Sequence, residues 1–196
     1  MSPQLTFPFA PAPRLSRADF IVAPANAEAV AFIDSWPDWP VTAAALHGPP
    51  GSGKSHLAST LAAATLIEDV DSTPATAKRD AALFSALERA TREAPVLLTG
   101  REPPALWETA MPDLASRFKA LLAFPLWAPD DALLSALARK LFADRQLMVP
   151  DAVIQAMLHR LERSPSALRI FVDRADARAL AEKRAVTVGL IQELIA

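Results

Sequence analysis

The sequence predicts an α/β domain built on a parallel sheet, followed by a small all-helical unit. Three observations predict it. A short apolar run, a glycine-rich loop and a helical pattern follow one another around residue 50. Buried-strand runs then alternate with helical periodicity as far as residue 128, the signature of strands covered by crossover helices. From Asp130 onward the pattern is helical throughout, which places a boundary near Pro129. The chain therefore divides into an extended tail over 1–17, an α/β domain over 18–128 and a helical domain over 129–196.

The tail carries Pro3, Pro8, Pro11 and Pro13, with Pro24 soon after, and this spacing leaves no room for a helix or paired strand. Within it, Gln4-Leu5-Thr6-Phe7-Pro8-Phe9 sets a polar residue before three large apolar side chains on a segment with no core of its own. Two readings stand level: docking into a partner's groove, or folding back on the domain. Between Pro24 and Trp36, Ala29, Val30, Phe32 and Ile33 recur at helical spacing.

Val41 to Leu46 reads as a short buried strand and His56 to Ala63 as a helix. Between them stands Gly48-Pro49-Pro50-Gly51-Ser52-Gly53-Lys54-Ser55, which fits G-x-x-x-x-G-K-[ST]. In such a loop backbone N–H groups wrap a polyphosphate, the lysine reaches the terminal phosphates and the serine hydroxyl ligates Mg²⁺. His56 follows at the helix start, where the dipole favours an anion. Three of the chain's five glycines fall in this loop, and a chance match to the pattern has odds on the order of one in a hundred. The segment 65–71 reads as a strand ending in the acids Glu68, Asp69 and Asp71, at the sheet edge where a phosphate-loop protein holds Mg²⁺ and polarises water. Residues 80–93 form an amphipathic helix, 95–99 a third strand, 113–118 a short helix and 122–127 a last strand. Four helices follow, over 130–145, 150–163, 165–183 and 187–195, the third with Ser164 as cap and Pro165 at its first position.

Composition narrows the function classes. With 52 % apolar residues the chain can bury a full core, and no run of 18 apolar residues suggests a membrane span. Zero cysteines exclude disulfides and thiolate metal sites, and the cytoplasm is the expected compartment. A net charge of −2 and a pI near 5.9 leave no electrostatic footprint for nucleic acid.

The phosphate loop, the acidic strand, Thr99-Gly100-Arg101-Glu102-Pro103-Pro104, Asp113-Leu114-Ala115-Ser116-Arg117-Phe118 and the helical end occur in one order. In this the chain resembles the AAA+ module of the DnaA initiator family and, more closely, its Hda branch of regulatory inactivators. The likeness also rests on the tail and on the expected absence of a helix-turn-helix domain after Ala196. It implies a P-loop AAA+ three-layer domain with a parallel sheet and a small helical lid. It implies an adenine nucleotide, ADP in preference to ATP, with Mg²⁺ held by Ser55 and Glu68. It implies docking of Gln4, Leu5, Phe7 and Phe9 on the DNA polymerase sliding clamp. Arg117 matches the arginine finger, a guanidinium offered to a neighbour's nucleotide, here that of DnaA. A homodimer is expected by analogy with the fold, and no sequence-specific DNA binding.

Three departures bear on the chain's own hydrolysis. Only 13 residues separate Lys54 from Glu68, where the family has a further strand and helix, so the sheet should lack one edge strand. Glu68 stands where the first aspartate of the acidic strand is usual, leaving Asp69 as the catalytic acid. The family's lid arginine falls on Ser166, with Arg169 one turn away, and Arg101 occupies the first sensor position, usually short and polar. The alternative reading is a stand-alone ATPase using Lys54, Glu68 and Asp69; a DNA-binding initiator or loader is disfavoured by the charge.

Overall fold

A computed structural model describes residues 16–195. Gln4, Leu5, Phe7 and Phe9 lie outside the described residues. Within them a four-stranded, all-parallel sheet is built from β1 (Ala43–His47), β2 (Thr65–Ile67), β3 (Val96–Gly100) and β4 (Leu122–Pro125) in the order β2-β3-β1-β4. Ala45 of β1 lies opposite Leu98 of β3 on one side and Ala123 of β4 on the other. β2 pairs with β3 alone, so it forms the edge, and the sheet is as short as the spacing between Lys54 and Glu68 implies.

Side chains alternate faces along a strand, and that period sorts the core into two layers. Ala44, Leu46 and Leu97 face one layer with α1 (Ala27–Asp34) and α2 (Lys54–Ser59), around buried Phe32, Trp39 and Leu57. The rings of Trp39 and Phe124 stack on Phe32 at centroid distances of 4.2 and 4.3 Å, and Trp39 Nε1 donates to the Phe32 carbonyl at 2.7 Å. Ala45, Val96 and Leu98 face the other layer, with α3 (Ala77–Arg89) and α4 (Pro112–Ala120) over Trp107, Leu114 and Phe118. Trp107 and Phe118 are buried and meet edge to face at 5.2 Å.

Helices α5 (Asp131–Ala143), α6 (Asp151–Leu158), α7 (Pro165–Glu182) and α8 (Val188–Ile195) enclose a core of their own around Phe142, Met157, Leu168, Phe171 and Leu190. Ser164 caps α7 by accepting the Ala167 amide at 3.1 Å, with Pro165 at the first position as expected. Ile21, from the N-terminal segment, packs on this second core.

Several elements are shorter than the sequence suggests, among them the helix expected over 150–163, which spans only Asp151–Leu158. The helix expected over 56–63 ends at Ser59, because the Ser59 and Thr60 hydroxyls donate back to the carbonyls of His56 and Leu57 and compete with its continuation. The strand expected over 65–71 ends at Ile67; Asp69 turns into the left-handed region at φ 49° and Val70–Ser72 forms a 3₁₀ turn. None of the described helices is long and apolar enough to cross a membrane.

Candidate functional site

A parallel sheet opens a crevice at its carboxyl edge where connections from adjacent strands leave in opposite directions. Here β1 lies between β3 and β4, and the loops after β1, β2 and β3 converge on one cleft of about 360 Å³. It is lined by Pro50 to His56 from the loop after β1, Asp69 from beyond β2 and Arg101 from beyond β3. The opposite wall comes from the N-terminal segment, through Asp19, Phe20 and Ile21, and from the helical unit, through Leu133, Leu137, Pro165, Ser166 and Arg169.

The loop has the backbone that its glycines permit. Gly51 and Gly53 sit at φ 74° and 99°, and a Cβ on Gly51 would lie 2.9 Å from the Ser164 Cβ, so the start of α7 rests on the loop. A Cβ on Gly48 would meet the Leu126 carbonyl at 2.1 Å, which binds the loop's start to the end of β4. Pro49 and Pro50 are exposed, Pro50 at the mouth of the cleft.

Lys54 is buried, and its ammonium donates to the carbonyls of Gly48 and Pro49 at 2.8 and 3.0 Å. Burial lowers its pKa, with Asp69 and Asp71 opposing. Two bonds leave the third ammonium proton for a ligand inside the loop. The Ser52 hydroxyl is buried without a partner among the described residues, and so is Nε of Arg169. Such orphaned polar atoms are costly unless a ligand satisfies them, and together with the glycine cradle they fit a polyphosphate. Ser55 is exposed to the cleft at the start of α2.

The acids divide. Asp69 lines the cleft, held by its own amide donating to the buried Thr99 hydroxyl at 3.0 Å. Glu68 is exposed and does not line it. Asp71 works through the backbone: its Oδ2 accepts the amides of Arg101 and Glu102 at 2.7 and 2.8 Å, fixing the turn that presents Arg101. Among the described residues no group of three His, Cys, Asp or Glu is placed to hold a metal ion.

His56, expected to bind nucleotide at the end of the phosphate loop, joins three segments. Its Nδ1 accepts from Arg169 Nη2 at 3.2 Å, and its Nε2 donates to the Ser16 carbonyl at 3.2 Å. Phe20 meets it edge-on at 5.1 Å, and burial is the main cause of its lowered pKa. Nothing in local spacing reveals this contact, since Arg169 lies 113 residues away.

Arg117 is elsewhere. It projects from α4, half-exposed, with its guanidinium 4.3 Å above the Phe84 ring and Nη2 donating to Glu88 at 3.3 Å, and it does not line the cleft.

No protein-family model matches the sequence, and no curated protein does. Solved structures match in fold. Domain III of the Thermotoga maritima replication initiation protein DnaA superposes with a TM-score of 0.82 at 16 % identity, covering 94 % of this chain and 96 % of that one. DnaA from Aquifex aeolicus bound to AMPPCP gives a TM-score of 0.64 at 14 % identity, over 91 % and 68 % of the two chains. The Thermotoga maritima RuvB Holliday junction branch migration motor gives 0.62 at 15 %, over 91 % and 70 %. The chain thus shares the α/β fold of these solved structures.

Proposed function

We propose that the chain is an adenine-nucleotide-binding regulator of replication initiation, one that docks on the DNA polymerase sliding clamp and stimulates hydrolysis of DnaA-bound ATP through Arg117. The observation that carries this reading is the separation of Arg117 from its own cleft. A half-exposed arginine on a nucleotide-binding module, outside that module's own cleft, is placed where it can reach the phosphates of a neighbouring molecule. There it neutralises charge developing on the transferred phosphoryl group, an effect of roughly 10³–10⁵ in rate. The DnaA domain III fold supports DnaA as the partner, since like modules present matching faces.

The cleft of this chain holds nucleotide rather than turning it over. The phosphate loop, with Gly48, Pro49, Pro50, Gly51, Ser52, Gly53, Lys54, Ser55 and His56, wraps the phosphates, and Mg²⁺ enters with them on Ser55 and Asp69, not Glu68. Ser166 at the start of α7 brings no cation to a third phosphate, which favours ADP over ATP. The helical unit acts as the lid, and Gln4, Leu5, Phe7 and Phe9 supply the clamp anchor. A homodimer is compatible with the same arrangement.

The test is ATP hydrolysis by DnaA with DNA-loaded clamp, adding this protein as wild type or Arg117→Ala. Stimulation lost in the variant while clamp binding persists is the expected result; no stimulation by the wild type would refute the reading. Gln4→Ala with Phe7→Ala should abolish clamp binding. The placement of Asp69 in the cleft favours a second reading, a stand-alone ATPase, for which turnover by the isolated chain must vanish in Lys54→Ala.

A further inference from the structure

Helix α3 ends at Arg89, and Glu88 stands in its last turn, where the helix dipole disfavours a negative charge. An acid at that place costs the helix rather than supporting it. Its carboxylate pairs instead with Arg117 of α4, Nη2 donating to Oε1 at 3.3 Å, with the Arg117 and Glu88 side chains 40 and 53 % exposed. One turn earlier on the same face of α3, the Phe84 ring lies 4.3 Å from the guanidinium carbon. Phe84 itself packs against the core that holds Leu83, Leu87 and Phe118. Arg117 leaves a helix anchored by buried Leu114 and Phe118, so its stem is fixed by α4 and its head is held by α3.

The two holds on the head differ in kind. A ring face attracts a guanidinium without using any of its N–H groups, so Phe84 sets the plane and leaves the donors available. Glu88 takes one of the five and sets a carboxylate where an incoming phosphate would compete for the same fork. A single bond at 3.3 Å between half-exposed groups is weak and yields to a bidentate guanidinium–phosphate pair. We infer that Phe84 and Glu88 are positioning residues for Arg117: Phe84 is the shelf that presents its guanidinium, and Glu88 is a latch that withholds it until a neighbour's phosphates displace the carboxylate. The inference rests on the reading of Arg117 as a trans-acting arginine and adds how that arginine is oriented and restrained before a partner arrives.

ATP hydrolysis by DnaA with DNA-loaded clamp, followed against the concentration of the full chain, tests this through the ratio of plateau stimulation to half-maximal concentration. Glu88→Gln and Glu88→Ala should raise that ratio by roughly twofold to fivefold, the weight of an exposed ion pair. A gain of this kind cannot come from lost packing. It should shrink as salt is added, because an exposed pair is screened. Phe84→Leu keeps an apolar side chain without a ring face and should lower the ratio by roughly twofold to fivefold, while Phe84→Tyr restores the face and should stay within about twofold of the wild type. ADP affinity should stay within about twofold in all four variants, since neither residue lines the cleft. Glu88 variants that stimulate no better than the wild type, or Phe84→Leu stimulating like the wild type, would overturn this inference alone while stimulation still vanishes in Arg117→Ala. If Arg117→Ala stimulates like the wild type, or the wild type does not stimulate, the trans-acting reading fails and takes the inference with it.

Discussion

Placing a methyl group on Gly51 tests the seam between the phosphate loop and α7 directly. The residue sits at φ 74°, where an alanine costs about 1–2 kcal/mol. Its new Cβ would stand 2.9 Å from the Ser164 Cβ, and 3.5 and 3.6 Å from the Ser166 and Ser164 hydroxyls. Ser164 is buried backbone at the head of an 18-residue helix and cannot swing aside like the tip of a long side chain, so overpacking adds about 1–3 kcal/mol. A total near 3 kcal/mol lowers Tm by roughly 6–12 °C in a chain of this size. Calorimetric melting of four proteins measures it: wild type, Gly51→Ala, Ser164→Gly and the double variant. Glycine is itself a fair helix cap, so Ser164→Gly alone costs only a few tenths of a kcal/mol from capping. In the double variant the clash is gone and only the backbone term of about 1–2 kcal/mol remains, leaving a favourable coupling of about 1 kcal/mol or more. Strictly additive losses, or a Gly51→Ala protein melting with the wild type, would show that α7 does not rest on the loop.

Three further outcomes are expected. Arg117→Ala should shift Tm by less than about 8 °C, because an exposed ion pair and an exposed cation–π contact are each worth no more than about 1 kcal/mol, so the variant stays folded and its loss can be read functionally. Trp39→Ala removes a stacked, fully buried indole with its hydrogen bond and should cost about 3–5 kcal/mol in chemical denaturation. Burial lowers the pKa of His56, where Arg169 and Lys140 also act against the proton and Asp19 and the Ser16 carbonyl favour it, and burial lowers that of His47 too. Both are neutral in the fold while the unfolded chain takes up protons below the ordinary value of 6.5, so stability is full above that pH and declines as pH falls through the depressed values. Melting at pH 7.5 and pH 5 should show the decline, and His56→Asn should reduce it without removing the share due to His47.

How much of this could be read beforehand depended on distance along the chain. The phosphate loop was legible because eight adjacent residues encode both its turn and its chemistry, and the Ser164 cap because Ser-Pro before a helical pattern is a local signal. The shortened sheet followed from the spacing between Lys54 and Glu68. Which of two neighbouring acids faces the cleft was not legible: the left-handed turn at Asp69, pinned by Thr99 from another strand, decides it. The link from His56 to Arg169 was hidden for the same reason, since it exists only once the helical unit packs against the loop.

The edge position of β2 also bears on how this module can be rebuilt. The chain turns from α2 to β2 through residues 60–64, a stretch held by local turns from Leu57, Ala58 and Leu61, and β2 donates no pairing to β1. Apart from Asp69 and Asp71, which follow β2, the residues that shape the cleft come from elsewhere in the chain. Added sequence at 60–64 would extend the flank without threading the core, and a reporter domain grafted there should leave the ligand end of the molecule intact.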